Sequence, residues 1–172
     1  PVYRYDDHFA YAQCKAAIVL FTMELDARAQ AAGYNIHAYT LHPGMILETD
    51  FKRAFTDEQL QHFNTLLHFM DENGKYIYDP EHLGTKTIQQ GASTSIFLAT
   101  SPLLDNCAGG VWAEDNNITT LLPPGRGPND VTFRGVQKEL FNPEHAQKLW
   151  TLTEKITGLQ YLCSPDMLPI TQ

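Results

Sequence analysis

The stretch Tyr11-Ala-Gln-Cys-Lys15, running on into Ala16-Ala-Ile-Val-Leu-Phe-Thr-Met-Glu-Leu25, decides how the rest of the chain is read. It reads as one helix. Tyr11 and Lys15 are then four residues apart on one face, with Cβ atoms about 5–6 Å apart. A positive charge beside a phenol favours the phenolate. At about 4 Å and an effective dielectric of about 20, a unit charge pair is worth about 4 kcal/mol. That is enough to bring a phenol into the range of general acid–base work near neutral pH. Chance alone supplies about 0.3 such matches in a chain of this composition, so the pair on an ordinary solvated helix is the competing reading.

Working outward, the helix is expected from about His8 to Ala32, capped by Asp6 or Asp7 and stopped by Gly33. Its first half is apolar nearly all round, which predicts burial on more than one side, inside a domain or against a second subunit. Tyr34 to Leu41 is β-branched and aromatic enough for a strand, and His42-Pro43-Gly44 ends it. In open α/β sheets ligands bind beyond the carboxyl ends of strands, so Met45 to Thr49 is where a ligand contact is sought. A plain turn is the alternative.

Two Thr-x-x-Gln boxes follow. Thr56 to Gln59 opens a helix expected to run to Asn73-Gly74, either a lid over a pocket or a packed surface helix. Thr87 to Gln90 opens a helix over 88–100, in which Gly91 permits close approach to a neighbour. Residues 109–113 read as a short strand. Residues 115–141, centred on Pro123-Pro124-Gly125-Arg126-Gly127-Pro128, read as a surface or partner-contacting excursion. Asn142-Pro143-Glu144 opens the last helix, 143–157, with Ala146, Leu149, Leu152 and Ile156 as its apolar stripe and Gly158 as its stop.

The 172 residues suit one domain, and 43% hydrophobic with 19% charged is ordinary globular composition. The net charge of −8, with no Lys/Arg cluster, argues against a nucleic-acid partner. The longest apolar run, Ala16 to Phe21, is too short to span a bilayer. Cys14, Cys107 and Cys163 are odd in number and far apart, which favours a reducing, cytoplasmic setting over a disulfide framework. The dispersed histidines make a metal site improbable. Pro1 stands where a start Met would, so the chain is expected to be a processed product or a piece of something longer.

Five pieces occur in one order: Tyr11-Ala-Gln-Cys-Lys-Ala-Ala, Leu41-His-Pro-Gly-Met-Ile, Lys86-Thr-Ile-Gln-Gln-Gly-Ala-Ser-Thr, Gly109-Gly-Val-Trp-Ala-Glu-Asp-Asn, and Ala146-Gln-Lys-Leu-Trp. Together they resemble the C-terminal half of a short-chain dehydrogenase/reductase, of the retinol-dehydrogenase-like and WW-domain-oxidoreductase-like branch. The resemblance covers about residues 5–158. It implies the C-terminal part of a Rossmann-type, doubly wound α/β sheet over residues 1–160, with a tail at 161–172. It implies that Tyr11 exchanges a proton with the substrate oxygen, and that Lys15 tunes Tyr11 and holds the nicotinamide ribose. Pro43, Gly44 and the backbone of Ile46 would border the nicotinamide, with Thr49 near its amide or phosphates. Residues 50–83 would form the substrate loop, receiving a small apolar carbonyl or alcohol. The cofactor would be NADP or NAD.

The chain departs from the family at named places. Cys14 stands where Ser is usual, Ile18 replaces an expected Asn, and Thr49 falls one residue late. The glycine-rich dinucleotide turn is missing, as is the Ser expected before the Tyr, since the first Ser is Ser93. Two expectations follow. The chain is an oxidoreductase fragment inactive on its own, able to self-associate through its first helix, or it is a non-enzymatic interaction module that kept the helices.

Overall fold

Each long helix begins at a side chain that accepts a hydrogen bond from its own first turn. Asp6 Oδ1 accepts from the Phe9 amide at 2.8 Å and starts α1, Asp7–Ala31. Thr56 and Gln59 form a reciprocal capping box at the start of α2, Asp57–Leu67. Thr87 and Gln90 do the same for α3, Ile88–Thr100. Asn142 caps α4, Pro143–Thr157, with Pro143 in its first turn. Such caps contribute about 1 kcal/mol each. They are why the helix starts follow directly from sequence.

The computed structural model describes residues 5–79, 85–118, 121–122 and 135–160. Its strands are β1 (Tyr39–His42), β2 (Val111–Glu114), β3 (Asn117–Ile118), β4 (Leu121–Leu122) and β5 (Val136–Gln137). The architecture is α/β, with sheet order β1-β2-β3 and a separate parallel pair β4-β5. The chain forms two compact units. One comprises Pro1–Thr40, Asn106–Trp112 and Lys138–Gln172; the other comprises Leu41–Asp105 and Ala113–Gln137.

The first unit is built on α1 against α4. Trp150, 1% exposed, stacks on Phe21 with centroids 4.9 Å apart. Arg28 lies 4.8 Å over the Trp150 ring and donates to Glu24 at 2.7 Å, while Trp150 Nε1 donates to Glu154 at 2.8 Å. The buried Glu24 carboxylate is thereby paired rather than left to its desolvation cost. α1 is covered on two sides, in line with its apolar first half: α4 packs on the face carrying Phe21 and Arg28, while Val19, Thr22 and Asp26 are buried on the opposite face, where Asp26 meets Ala38 and Gly109. Ile18, nearer the start of the helix, remains 52% exposed.

The strand expected over 34–41 is shorter, at 39–42, for a local reason. Side chains of α1 bind the backbone that a ladder would otherwise use. Gln30 Nε2 donates to the Ile36 carbonyl at 2.6 Å, and Asp26 Oδ1 accepts from the Ala38 amide at 2.9 Å. Asp26 also meets His37 Nδ1 at 3.1 Å. The Asp26 carboxylate occupies the space that a side chain at Gly109 would need. The Gly110 amide donates to the Ala38 carbonyl at 2.7 Å, and Thr40 Oγ1 to the Val111 carbonyl at 3.3 Å.

In the second unit α2 ends at Leu67, six residues before the expected Asn73-Gly74 stop. His68 takes the left-handed conformation, φ 51°, and caps it. Met70 then pairs with Tyr76 around a turn in which Asp71 Oδ1 accepts from the Asn73 and Lys75 amides. Asn73-Gly74 is thus a hairpin turn rather than a helix stop. β2 occupies 111–114 rather than 109–113, and Asp115-Asn116, with φ 50° and 56°, turn it antiparallel into β3. Two positive-φ residues at a two-residue turn are the type I′ hairpin pattern, for which Asp and Asn are suited. The flanks of the expected 115–141 excursion are therefore strands. Its proline-rich centre, residues 80–84 of the expected substrate loop and the 161–172 tail lie outside the described residues.

Candidate active site

Tyr11 and Lys15 lie one helical turn apart near the start of α1. The Lys15 ammonium is 5.3 Å from the Tyr11 ring centroid, within the range where a cation is attracted to an aromatic face. Tyr11 is 53% exposed and Lys15 is exposed as well. The two side chains that spacing places on one face therefore meet, and both are exposed to solvent. Ile18, three residues after Lys15, adds an exposed apolar neighbour on the same face. Cys14, where the resemblance expects Ser, is an exposed free thiol.

The other candidate residues form a turn in the second unit. β1 ends at His42, and Gly44 follows with φ +85°, a conformation that a Cβ makes costly. Met45 forms a parallel bridge with Thr85, and its carbonyl accepts from the Lys86 amide at 2.9 Å. Thr85 is fully buried, its hydroxyl donating to the Ile77 carbonyl and accepting from the Asp79 amide, each at 2.7 Å. The Ile46 side chain sits where a Cβ on Gly91 would fall, with the Pro43 carbonyl 3.4 Å from that point. This is the close approach that glycine in the first turn of α3 predicts. Thr49 Oγ1 donates to the Ile46 carbonyl at 2.9 Å, closing the turn. Tyr11 and Lys15 thus belong to the first unit, and Pro43, Gly44, Ile46 and Thr49 to the second.

Two features went unread in the sequence. Lys86, 6% exposed, forms an ion pair with Asp115 on the β2–β3 turn. Its only signal was its place at the head of the Lys86-Thr-Ile-Gln motif. The other is Tyr39, at the head of β1. Burial pushes its phenol above the ordinary value, and the nearby Cys107 and Asp26 push the same way. Among the described residues no helix is long and apolar enough to cross a membrane, and no cluster of three His, Cys, Asp or Glu is placed to hold a metal ion.

No family model matches the chain. Individual proteins do. A Streptomyces lividans protein named "Probable oxidoreductase" is 39% identical over 146 residues, covering 85% of this chain and 44% of that protein. A Penicillium rubens short-chain dehydrogenase/reductase, prx1, is 30% identical over 155 residues, 90% of this chain and 40% of that protein. Human polyprenol dehydrogenase is 28% identical over 155 residues, 90% of this chain and 38% of its own length. The chain therefore spans about two-fifths of the length of the curated relatives it matches. Over 85–90% of its length, this chain resembles oxidoreductases of the short-chain dehydrogenase/reductase family.

Proposed function

We propose that the chain carries the acid–base part of an NAD(P)-dependent oxidoreductase acting on a carbonyl/alcohol pair, within a partial Rossmann-type fold. The observation that carries this reading is the contact of Tyr11 with Lys15 on an open helix face, in a chain similar to named dehydrogenases. The residues present fit the reactive end of such a cofactor: an exposed phenol and ammonium, and a positive-φ turn after a strand end. They do not include the glycine-rich turn that would cradle its diphosphate. NADP or NAD, when bound, supplies the hydride donor or acceptor.

In oxidation, the substrate hydroxyl gives its proton to Tyr11 Oη as a hydride leaves the carbon; in reduction, Tyr11 returns a proton to the carbonyl oxygen. Lys15 offers an ammonium to the ribose hydroxyls. Pro43, Gly44 and the Ile46 backbone would border a bound nicotinamide, with Thr49 beside them. Thr49 acts there through the turn it closes, because its hydroxyl proton is committed to Ile46. The exposed Ile18 supports an apolar substrate. Self-association through α1 belongs to the same proposal, supported by Phe9, 65% exposed on another face of the helix. A cytoplasmic setting is supported by the odd number and wide spacing of Cys14, Cys107 and Cys163.

The test is Tyr11→Phe in the enzyme that carries this segment. Turnover is expected to fall by about 10²-fold or more while cofactor affinity stays within twofold. Near-parental turnover would remove Tyr11 from the reaction. The 172-residue chain alone is expected not to bind NADPH or NADH, and micromolar binding in a fluorescence titration would overturn its proposed inactivity.

A further inference from the structure

Three contacts converge on the turn after β1 from the stretch 85–91, one of them Gly91 against Ile46. Two of them are made by Lys86. Its amide donates to the Met45 carbonyl at 2.9 Å. Its aliphatic stem lies over Gly44, with Cδ, Cε and Cγ at 2.6, 2.9 and 3.1 Å from where a Cβ would be. Glycine at 44 therefore does two things at once. It adopts φ +85°, and it leaves a seat that the lysine stem fills.

A lysine so buried needs a partner for its ammonium. Asp115 provides it from the β2–β3 turn, where φ 50° sets its backbone and the Thr94 hydroxyl holds the next amide, that of Asn116, at 3.2 Å. The Asp115 side chain is 36% exposed, against 7% for Lys86. The two ends of Lys86 are thus tied differently: the stem to the turn at 44, the charge to a hairpin.

We propose that Lys86, anchored by Asp115, is a positioning residue that sets the Pro43–Gly44–Met45–Ile46 turn for the cofactor; this rests on the nicotinamide-facing reading of that turn. The arrangement predicts an order of effects. Asp115→Asn leaves a buried ammonium without its countercharge, so the side chain is drawn toward water and its stem leaves Gly44. Lys86→Met keeps an apolar stem of similar length and asks nothing of Asp115, which water can reach.

Amide hydrogen exchange at position 86 reads the turn in the 172-residue chain without cofactor. Asp115→Asn is expected to raise that exchange about tenfold, Lys86→Met by less than threefold, and the double variant to the Lys86→Met level. Exchange at position 86 within twofold of the parent in Asp115→Asn, or raised equally throughout α2 and α3, would overturn the positioning role. In the enzyme that carries this segment, cofactor dissociation constants follow the same order, with Asp115→Asn about tenfold weaker and recovery in the double variant. The surface variant Lys148→Met is expected to match the parent in both measurements. If exchange at position 86 follows this order and cofactor affinity does not change, the turn is set by Lys86 but does not face the cofactor. That result would refute the functional reading alone.

Discussion

Replacing Trp150 by Ala tests how the helix bearing Tyr11 and Lys15 is held. Trp150 is 1% exposed, stacked on Phe21 at 4.9 Å and covered by Arg28 at 4.8 Å. A buried Trp removes up to about 250 Å² from water, which at about 25 cal/mol/Å² is about 6 kcal/mol. Compactness of real unfolded chains lowers that by about 10–40%. The expected loss is therefore about 4 kcal/mol, inside the range for large aromatic-to-Ala changes in cores. Trp150→Phe keeps a ring against Phe21 but loses the indole donor to Glu154, and is expected to lose about 1.5 kcal/mol.

The assay is urea unfolding followed by tryptophan fluorescence. Both tryptophans, Trp112 and Trp150, lie in the first unit, so Trp112 still reports on that unit in the Ala variant. With m near about 1–2 kcal/mol/M, the Ala variant unfolds about 2–4 M earlier. A shift corresponding to less than about 1 kcal/mol would refute the reasoning, since α1 would then not depend on α4.

Three further outcomes follow from particular residues. His68→Gly is expected to stabilise the second unit by about 1 kcal/mol in thermal unfolding, because His68 holds φ 51° at the end of α2 while remaining exposed. Gly91→Ala places a methyl group on Ile46 and is expected to cost about 1–3 kcal/mol; an unchanged midpoint would show that Ile46 is free to move. Tyr39 carries the pH prediction. Its phenol is raised by burial, then by Cys107 and Asp26, so the fold favours the neutral form. That contribution is fully present below the unfolded value, near about 10, and is lost as pH rises through the folded one. Ultraviolet titration should show one tyrosine ionising later than in Tyr39→Phe, and matching curves would contradict this.

What was legible in the sequence was what short-range chemistry decides. Asp6, Thr56, Thr87 and Asn142 each bond within three residues of themselves, so the helix starts needed no tertiary knowledge. The Tyr11/Lys15 contact was legible for the same reason, four residues on a helix being one turn. The stop at His68 was not, because a histidine in left-handed conformation carries no glycine-like signal. The short β1 was hidden by side chains: Asp26 and Gln30 take up backbone groups twelve and six residues away. Lys86 and Asp115 are 29 residues apart, and no local pattern joins them. Contacts one helical turn apart were thus readable, and the long-range contacts that support the turn after β1 were not.

The Asp26 carboxylate lying where Gly109 lacks a side chain has an evolutionary consequence. The two positions cannot drift independently. A methyl group at 109 would have to displace a carboxylate that holds the Ala38 amide and His37, so it is tolerable only once residue 26 has shrunk. Shrinking residue 26 first orphans the Ala38 amide, so either first step costs stability. Glycine at 109 and an acid at 26 should therefore be inherited together, and across any future alignment they are expected to change as a pair.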